Sequence, residues 1–396
     1  MSADSKTVKA AKPILPGATI GIFGGGQLGR MTAMAARAMG YRIQVLDPDP
    51  ACAARFVVDG CIEASWDDAR EAANLARGCD VVTLEIEQIS LASMDAAANF
   101  APVRPGRAVL AVIQNRVEQK DWLRKHGFPV GDYRAVRSIV ELREAILALG
   151  GRCFCKSATG GYDGRGQGKV GFRAGADPEQ ELRGAWEALG ECEGIIEKAI
   201  ELEREISVLV ARSPSGEVKV YPAAWNHHEN QILAWSVMPA PLTDAMAAEA
   251  RQLAESIADT FALEGILAVE MFVTKDGKVL VNELAPRPHN SYHASERACV
   301  TSQFEQLVRA VCDLPLGAVE IVQPCAIANL LGDVWLNEDG SPKEPRFDRV
   351  LAVPGVRLHL YEKHRPRKGR KMGHLSAVGA TADEAVAAVL KAQELL

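Results

Sequence analysis

Asp276-Gly277 sits between two apolar, β-branched runs, ILAVEMFVTK and KVLVNELAP, and this dipeptide is among the strongest short-range hairpin signals. A two-residue turn pairs Lys275 with Lys278 and, counting back, Thr274 with Val279, Phe272 with Val281, and Glu270 with Glu283. Two carboxylates then stand directly opposite each other, Cβ atoms roughly 4.5–5.5 Å apart. Phe272, Thr274, Val279 and Val281 extend their face, and Asn282 points to the other. Like charges so placed are destabilising unless they share a proton or a divalent cation. Hard oxygen donors suit Mg²⁺, with Mn²⁺ as a substitute, held by one or two carboxylates plus substrate phosphates. Two solvated glutamates at a strand end are the plainer alternative.

A second feature needs a ligand to explain it. KSATGGYDGRGQGK, Lys156 to Lys169, carries five glycines in fourteen residues, an entropic cost that stability alone does not justify. Lys156, Arg165 and Lys169 add positive charge, so the run reads as a loop that closes over phosphates with backbone N–H groups and cations. It lacks the GK[ST] spacing of the P-loop. The alternative is a flexible surface loop.

From Thr19 the chain alternates strand, glycine turn and helix, which predicts a doubly wound parallel first domain. Gly24, Gly26 and Gly29 form GxGxxG between strand and helix, with Asp47 ending the next strand, the context of a dinucleotide fingerprint. That pattern keeps an NAD-dependent oxidoreductase open. The competing reading is a tight turn that aims a helix N-terminus at another small anion. Thr83 to Glu87 places Glu85 and Glu87 on one face at the carboxyl end of a parallel strand, where ligands of open α/β sheets gather. Asn115 to Lys125 reads as an amphipathic helix at a domain boundary. Beyond the hairpin, the prolines of APRPHNSYH hold Arg287, His289 and Asn290 in place, and an arginine there suits a planar oxyanion.

Net charge narrows the partners. At −6, with 24% charged residues, the chain offers no global basic field for nucleic acid, and the basic run from Lys363 to Lys371 suits a small phosphorylated substrate better. Nine cysteines without metal-site spacing read as free thiols of a reducing cytoplasm. Nothing approaches the ~18 apolar residues of a membrane span. The 396 residues predict a disordered leader at 1–16, a Rossmann-like domain at 17–120, a small lid domain at 121–200 and a large domain at 201–396 that ends in the basic segment.

GGGQLGRM (24–31), KSATGGYDGRGQG (156–168), Glu197 to Glu205, VNELAPRPHNS (281–291), SQFEQLVRAVCDLPLG (302–317) and GRKMGH (369–374) occur in an order that resembles the N5-carboxyaminoimidazole ribonucleotide synthases. These are ATP-grasp ligases of bacterial and fungal purine synthesis. The resemblance runs from about Thr19 to Leu396 and implies an α/β fold of three domains around a nucleotide cleft, and a homodimer. It implies that MgATP phosphorylates bicarbonate to carboxyphosphate, whose carboxyl group passes to the amine of 5-aminoimidazole ribonucleotide. Carried over by position, Arg116, Lys156 and the loop Gly161, Tyr162, Asp163, Gly164, Arg165, Gly166, Gln167 would contact ATP phosphates. Glu197, Lys198, Ala199 and Ile200 would line the adenine pocket, with Glu205 at the ribose and His228, Asn282 and Glu283 near the nucleotide. Glu270 and Glu283 would hold Mg²⁺. Tyr162, Asp163, Arg165, Arg287, His289 and Asn290 would surround carboxyphosphate and the amine. Gln27, Leu28, Glu85, Lys363, Arg370 and Lys371 would hold the ribonucleotide. Two positions depart from the pattern: Ala285 stands where the wider superfamily often has the asparagine of E-x-N, and Tyr292 where glycine is common. A different purine ligase or a biotin carboxylase remains the nearest alternative, and a non-catalytic nucleotide sensor a further one.

Overall fold

Alternating apolar runs and amphipathic helices resolve into three sheets in the computed structural model, which describes residues 12–160, 167–171 and 178–396. The first sheet holds β1 (Thr19–Phe23), β2 (Arg42–Asp47), β3 (Gly60–Glu63) and β4 (Val81–Leu84) in the parallel order β3-β2-β1-β4. β1 and β4 are buried along their whole length, as a parallel sheet covered on both faces requires.

β5 (Tyr133–Val136), β6 (Arg152–Ser157), β7 (Gln167–Gly171) and β8 (Gly194–Lys198) form the second sheet, antiparallel in the order β5-β8-β6-β7. Side chains alternate along β6, so Cys153 and Cys155 pack into a small core with Leu142, Ile146 and Leu182, while Phe154 and Lys156 face the opposite way.

The third sheet gathers β9 (Leu202–Arg212), β10 (Val218–Val220), β11 (Ala224–Glu229), β12 (Ile232–Met238), β13 (Gly265–Thr274), β14 (Val279–Ala285), β15 (Cys325–Leu331), β16 (Val356–Leu360) and β17 (Lys371–Val378). Its order is β14-β13-β9-β11-β12-β15-β17-β16, with β10 beside β9. The C-terminal strands therefore extend the same sheet that carries the Asp276-Gly277 hairpin.

That hairpin corrects the expected register. Gly277, at φ +81°, ends a three-residue loop in which Thr274 N donates to Lys278 O at 2.9 Å. Val273 therefore pairs with Val279, Phe272 with Leu280 and Met271 with Val281. A bulge between Glu270 and Met271 then takes up one residue, and Glu270 meets Glu283 after all. Val279 and Val281 consequently turn into the core with Met271 and Val273. Asn282, the extra residue of the bulge, lines the cleft rather than the opposite face.

Three other expectations change. Ile14, inside the stretch expected as a leader, is tied down by its N–H to Cys312 O (2.8 Å) and its carbonyl to the Tyr41 hydroxyl (2.6 Å). β4 ends at Leu84, so Glu85 and Glu87 follow the strand and part company. Tyr292 is fully buried and needs no glycine: its hydroxyl donates toward Ser207 O (2.8 Å) and Pro222 O (3.0 Å), and its ring meets Tyr221 edge-on.

Candidate active site

A single cavity of about 680 Å³ lies between the second and third sheets, within the range of ligand pockets. Phe154, Ile200, Leu202, Leu233, Phe272 and Leu284 supply an apolar wall suited to a base. Polar groups converge on the rest of it.

At the lid side, strand β6 delivers Lys156 and β8 delivers Glu197. Lys156 Nζ lies 2.6 Å from one Glu197 carboxylate oxygen and Lys120 Nζ 3.0 Å from the other. Burial alone would raise the Glu197 carboxyl, but the two ammonium groups outweigh it and hold the group down at about 2. Burial likewise works against the Lys156 charge, and Glu197 and Glu283 more than offset it, so its pKa is raised. For Lys120 burial wins, and its pKa falls below the usual lysine value. Lys120 escaped the sequence reading, although it follows Arg116 by four residues on helix Arg116–Lys125 and so shares its face.

The adenine-hinge candidates fall along the end of β8. Lys198 N donates to Asp132 O and Ala199 N to Arg152 O, both at 2.9 Å. Ile200 lines the cavity, and Ala199 lies on a neighbouring depression behind it. Glu205 on β9 meets His228 Nδ1 on β11 at 2.7 Å. Burial disfavours the charged imidazole, but the bond to Glu205 prevails and raises the His228 pKa.

Opposite the lid, Glu270 and Glu283 face the cavity from adjacent strands. Glu270 Oε1 is 3.0 Å from His289 Nε2, and Glu283 Oε1 is 3.7 Å from an Arg116 guanidinium nitrogen. Burial would raise the Glu270 carboxyl, yet the bond from His289 and the nearby His228 and Lys156 more than offset it, so its pKa is lowered. Beside them Asn282 Oδ1 is buried without a hydrogen-bond partner. Two carboxylates and an orphaned amide oxygen form an all-oxygen donor set, the chemistry a hard divalent cation selects.

The cavity continues toward the first sheet. Arg287 Nε bonds Glu87 Oε1 at 2.7 Å, and His289 Nδ1 lies 2.7 Å from Ser291 Oγ. His289 is thus clamped between Ser291 and Glu270. Asn290 Oδ1 accepts from Gln27 Nε2 (2.9 Å), whose own Oε1 accepts from Lys363 Nζ (2.5 Å). Lys371 lines the cavity as well. Arg370 points elsewhere, donating to Arg365 O. The Leu28 side chain is buried against Met31, Phe304 and Tyr361.

The glycine turn after β1 is filled from within. Glu85 accepts from Gly26 N (2.7 Å) and Gly29 N (2.8 Å), and Asp47 accepts from Gly25 N (2.7 Å) and Asp49 N (2.8 Å). A Cβ on Gly24 or Gly26 would lie 2.6 or 2.5 Å from Glu85, and one on Gly25 2.5 Å from Cys52 Sγ. The glycines make room for protein side chains, and Asp47, the acid of the fingerprint, is spent on the turn itself together with Glu85. The dinucleotide reading therefore loses its ribose-binding acid. Gly161, Tyr162, Asp163, Gly164, Arg165 and Gly166 lie outside the described residues, and Gln167 opens β7.

A nucleotide-sized cleft between a small antiparallel sheet bearing lysines and a large sheet bearing paired carboxylates defines an ATP-grasp protein. The ATP-grasp domain model matches residues 121–304, the ribonucleotide synthetase preATP-grasp domain 17–114, and the phosphoribosylaminoimidazole carboxylase C-terminal domain 325–388. The N5-carboxyaminoimidazole ribonucleotide synthase of Brucella melitensis is 41% identical over 363 residues, covering 92% of this chain and 97% of the relative. That of Bacillus subtilis is 40% identical over 372 residues, 94% of each. A solved N5-carboxyaminoimidazole ribonucleotide synthetase in complex with ADP superposes with a TM-score of 0.88 at 41% identity, covering 97% of this chain and 98% of that one. The Aspergillus clavatus enzyme in complex with ADP and 5-aminoimidazole ribonucleotide superposes at 0.85 with 30% identity, covering 96% and 98%. The chain belongs to the N5-carboxyaminoimidazole ribonucleotide synthase family.

Proposed function

We propose that this protein uses ATP and bicarbonate to carboxylate the exocyclic amine of 5-aminoimidazole ribonucleotide, releasing ADP and phosphate. The observation that carries this reading is the continuity of one cavity: phosphate-type cations at one end, paired carboxylates in the middle, and Arg287, His289 and Asn290 leading to Gln27 and Lys363 at the other.

In this reading the base lies against Phe154 and Leu233, Glu205 takes ribose hydroxyls, and Lys156 and Arg116 meet the phosphates. Lys156 must leave Glu197 to do so, and Lys120 stays behind as that carboxylate's counter-ion. Glu270 and Glu283, with Asn282 Oδ1 beside them, would hold Mg²⁺, which neutralises charge on the transferring phosphoryl group. A bicarbonate oxygen attacks the γ-phosphorus, the bond to the ADP oxygen breaks, and carboxyphosphate forms. The amine nitrogen then bonds to the carboxyl carbon, the carbon–oxygen bond to phosphate breaks, and the amine gives up a proton. Arg287, fixed by Glu87, would bind the carboxylate of the intermediate. His289 orients Glu270 through its bond to Ser291. Gln27, Asn290 and Lys363 form the ribonucleotide end, with Glu85 supporting the turn from which Gln27 projects. A hydrolytically labile intermediate requires that water be excluded, and Tyr162, Asp163 and Arg165 are the residues that the family resemblance assigns to its surroundings. A homodimer in a reducing cytoplasm is the form we expect. No helix among the described residues is long and apolar enough to cross a membrane.

The test is ADP release with ATP and Mg²⁺, with bicarbonate and the ribonucleotide each omitted in turn. We expect turnover to require both and the product to incorporate labelled bicarbonate. ADP formation indifferent to both would end the assignment.

A further inference from the structure

Away from the nucleotide cavity, His359 on β16 and His374 on β17 are direct cross-strand partners, and Glu296 from the short helix Ser295–Ala298 reaches the same spot. One nitrogen of each ring and one carboxylate oxygen lie within 4.8 Å of one another, the only such trio of His, Cys, Asp or Glu among the described residues. None of the three has a place in the reaction above. We propose that Glu296, His359 and His374 form a second, non-catalytic site for a borderline divalent transition ion, with Zn²⁺ the physiological candidate.

Three observations argue for an ion rather than a chance cluster. The first is the donor chemistry: two imidazoles and a carboxylate suit zinc and disfavour Mg²⁺ or Ca²⁺, which select oxygen alone. The second is preorganisation of the buried ligand. Tyr361 Oη lies 2.9 Å from His374 Nδ1, and the His293 ring stacks on His374 at 4.7 Å. With Nδ1–H donating to the phenol oxygen, Nε2 presents its lone pair, the outer-shell arrangement that fixes a metal-binding histidine. The third is access: His374 is buried, His359 half-buried and Glu296 exposed, so the site opens to solvent on one side and leaves a coordination position for water.

Ion binding requires a contraction. Zn–ligand bonds of about 2.0–2.1 Å at tetrahedral angles put donor atoms about 3.4 Å apart, so with all donors within 4.8 Å no pair need close by more than about 1.4 Å. The His359 and His374 rings lie nearly parallel, 11° apart with centroids at 5.0 Å, so His359 must turn to aim its lone pair at the ion. Both adjustments fall on the exposed and half-exposed partners, while His374 stays clamped. The nearest cations do not forbid it. Arg30, which faces His359, is neutralised by Glu362 at 2.7 Å, and Arg357, which faces Glu296, is exposed.

The experiment is a competition titration of untagged, chelator-treated protein with Zn²⁺ against a chromophoric chelator, repeated with Co²⁺ for its visible spectrum. We expect one site of micromolar or better affinity, weakened at least tenfold in Glu296→Gln and in His359→Gln and unaltered in Glu270→Gln. Cobalt should give a visible d–d band without the near-ultraviolet thiolate charge transfer that a cysteine ligand would produce. Both test substitutions are at solvent-accessible side chains, and matching near-ultraviolet circular dichroism establishes that they fold. Failure of the wild type to bind zinc, equal binding in both variants, or thiolate bands in the cobalt spectrum would each overturn the proposal.

Discussion

Glu197 carries the sharpest energetic prediction. Its carboxylate is held between Lys120 and Lys156 at 3.0 and 2.6 Å with its side chain 14% exposed. Glu197→Gln preserves shape and removes the charge, leaving two ammonium groups facing each other in a buried setting. The group is held at about 2 against an ordinary 4.5, and at ~1.36 kcal/mol per pKa unit the charged form contributes on the order of 3 kcal/mol. That agrees with the roughly 3–5 kcal/mol cost of breaking a buried ion pair by removing one partner. Because the folded pKa is depressed, this stability is present above about 4.5 and is lost as pH falls toward 2. Urea unfolding at pH 7.5 should therefore show the variant weakened by about 3 kcal/mol. ATP should restore more stability to the variant than to the wild type, since its phosphates supply the missing anion to Lys156 and Lys120. Thermal shifts measured across an ATP series read that difference directly. A variant as stable as wild type, or one that ATP stabilises no more than wild type, would refute the charge-bridge argument.

Other outcomes follow from the same geometry. Glu283→Gln should abolish turnover with the circular dichroism spectrum unchanged; wild-type ADP release from that variant would remove the carboxylate pair from the chemistry. Gly25→Ala should cost about 1–3 kcal/mol, because its Cβ would sit 2.5 Å from Cys52 Sγ, and adding Cys52→Ala should recover most of it. Additive losses in the double variant would place the strain elsewhere. The His228 pKa is raised by Glu205, so the pair stabilises the fold fully below about 6.5 and loses that contribution as pH climbs through the raised value. The stability gap between wild type and His228→Gln should accordingly shrink between pH 6 and 9, and a constant gap would contradict the ion pair.

How much of this was legible in the chain depended on how local the determining physics was. Helix caps such as Asp68, Ser90, Ser138 and Thr243 accept from backbone amides within three residues of themselves, so what starts those helices is written locally in the chain. The fates of Glu85 and Asp47 were not local. Each is consumed by amides of a turn more than twenty residues away in sequence, so a dinucleotide fingerprint and a self-satisfied turn share one motif and differ only in what fills it. Lys120 was hidden for a similar reason: its partner Glu197 lies on strand β8, far along the chain, and only helix periodicity relative to Arg116 hinted at its face.

The Glu270–Glu283 pair shows how a correct contact can stand on a wrong path. Counting residues from a two-residue turn reaches the right partners, yet the turn holds three residues and the bulge at Asn282 cancels the difference. The cancellation has a chemical consequence. A regular ladder pairing Glu270 with Glu283 would send Asn282 to the face away from the cleft. The bulge instead brings Asn282 to the cavity wall beside the two carboxylates, its Oδ1 buried and unpaired. Deleting Asn282 would leave a regular ladder, with Val281 opposite Met271 and Glu283 still opposite Glu270 on the cleft side, so only the neutral donor would be lost. The irregularity is thus what brings a neutral oxygen donor to the cavity wall that carries the two carboxylates, and a site of that kind cannot be drawn from period-two alternation alone.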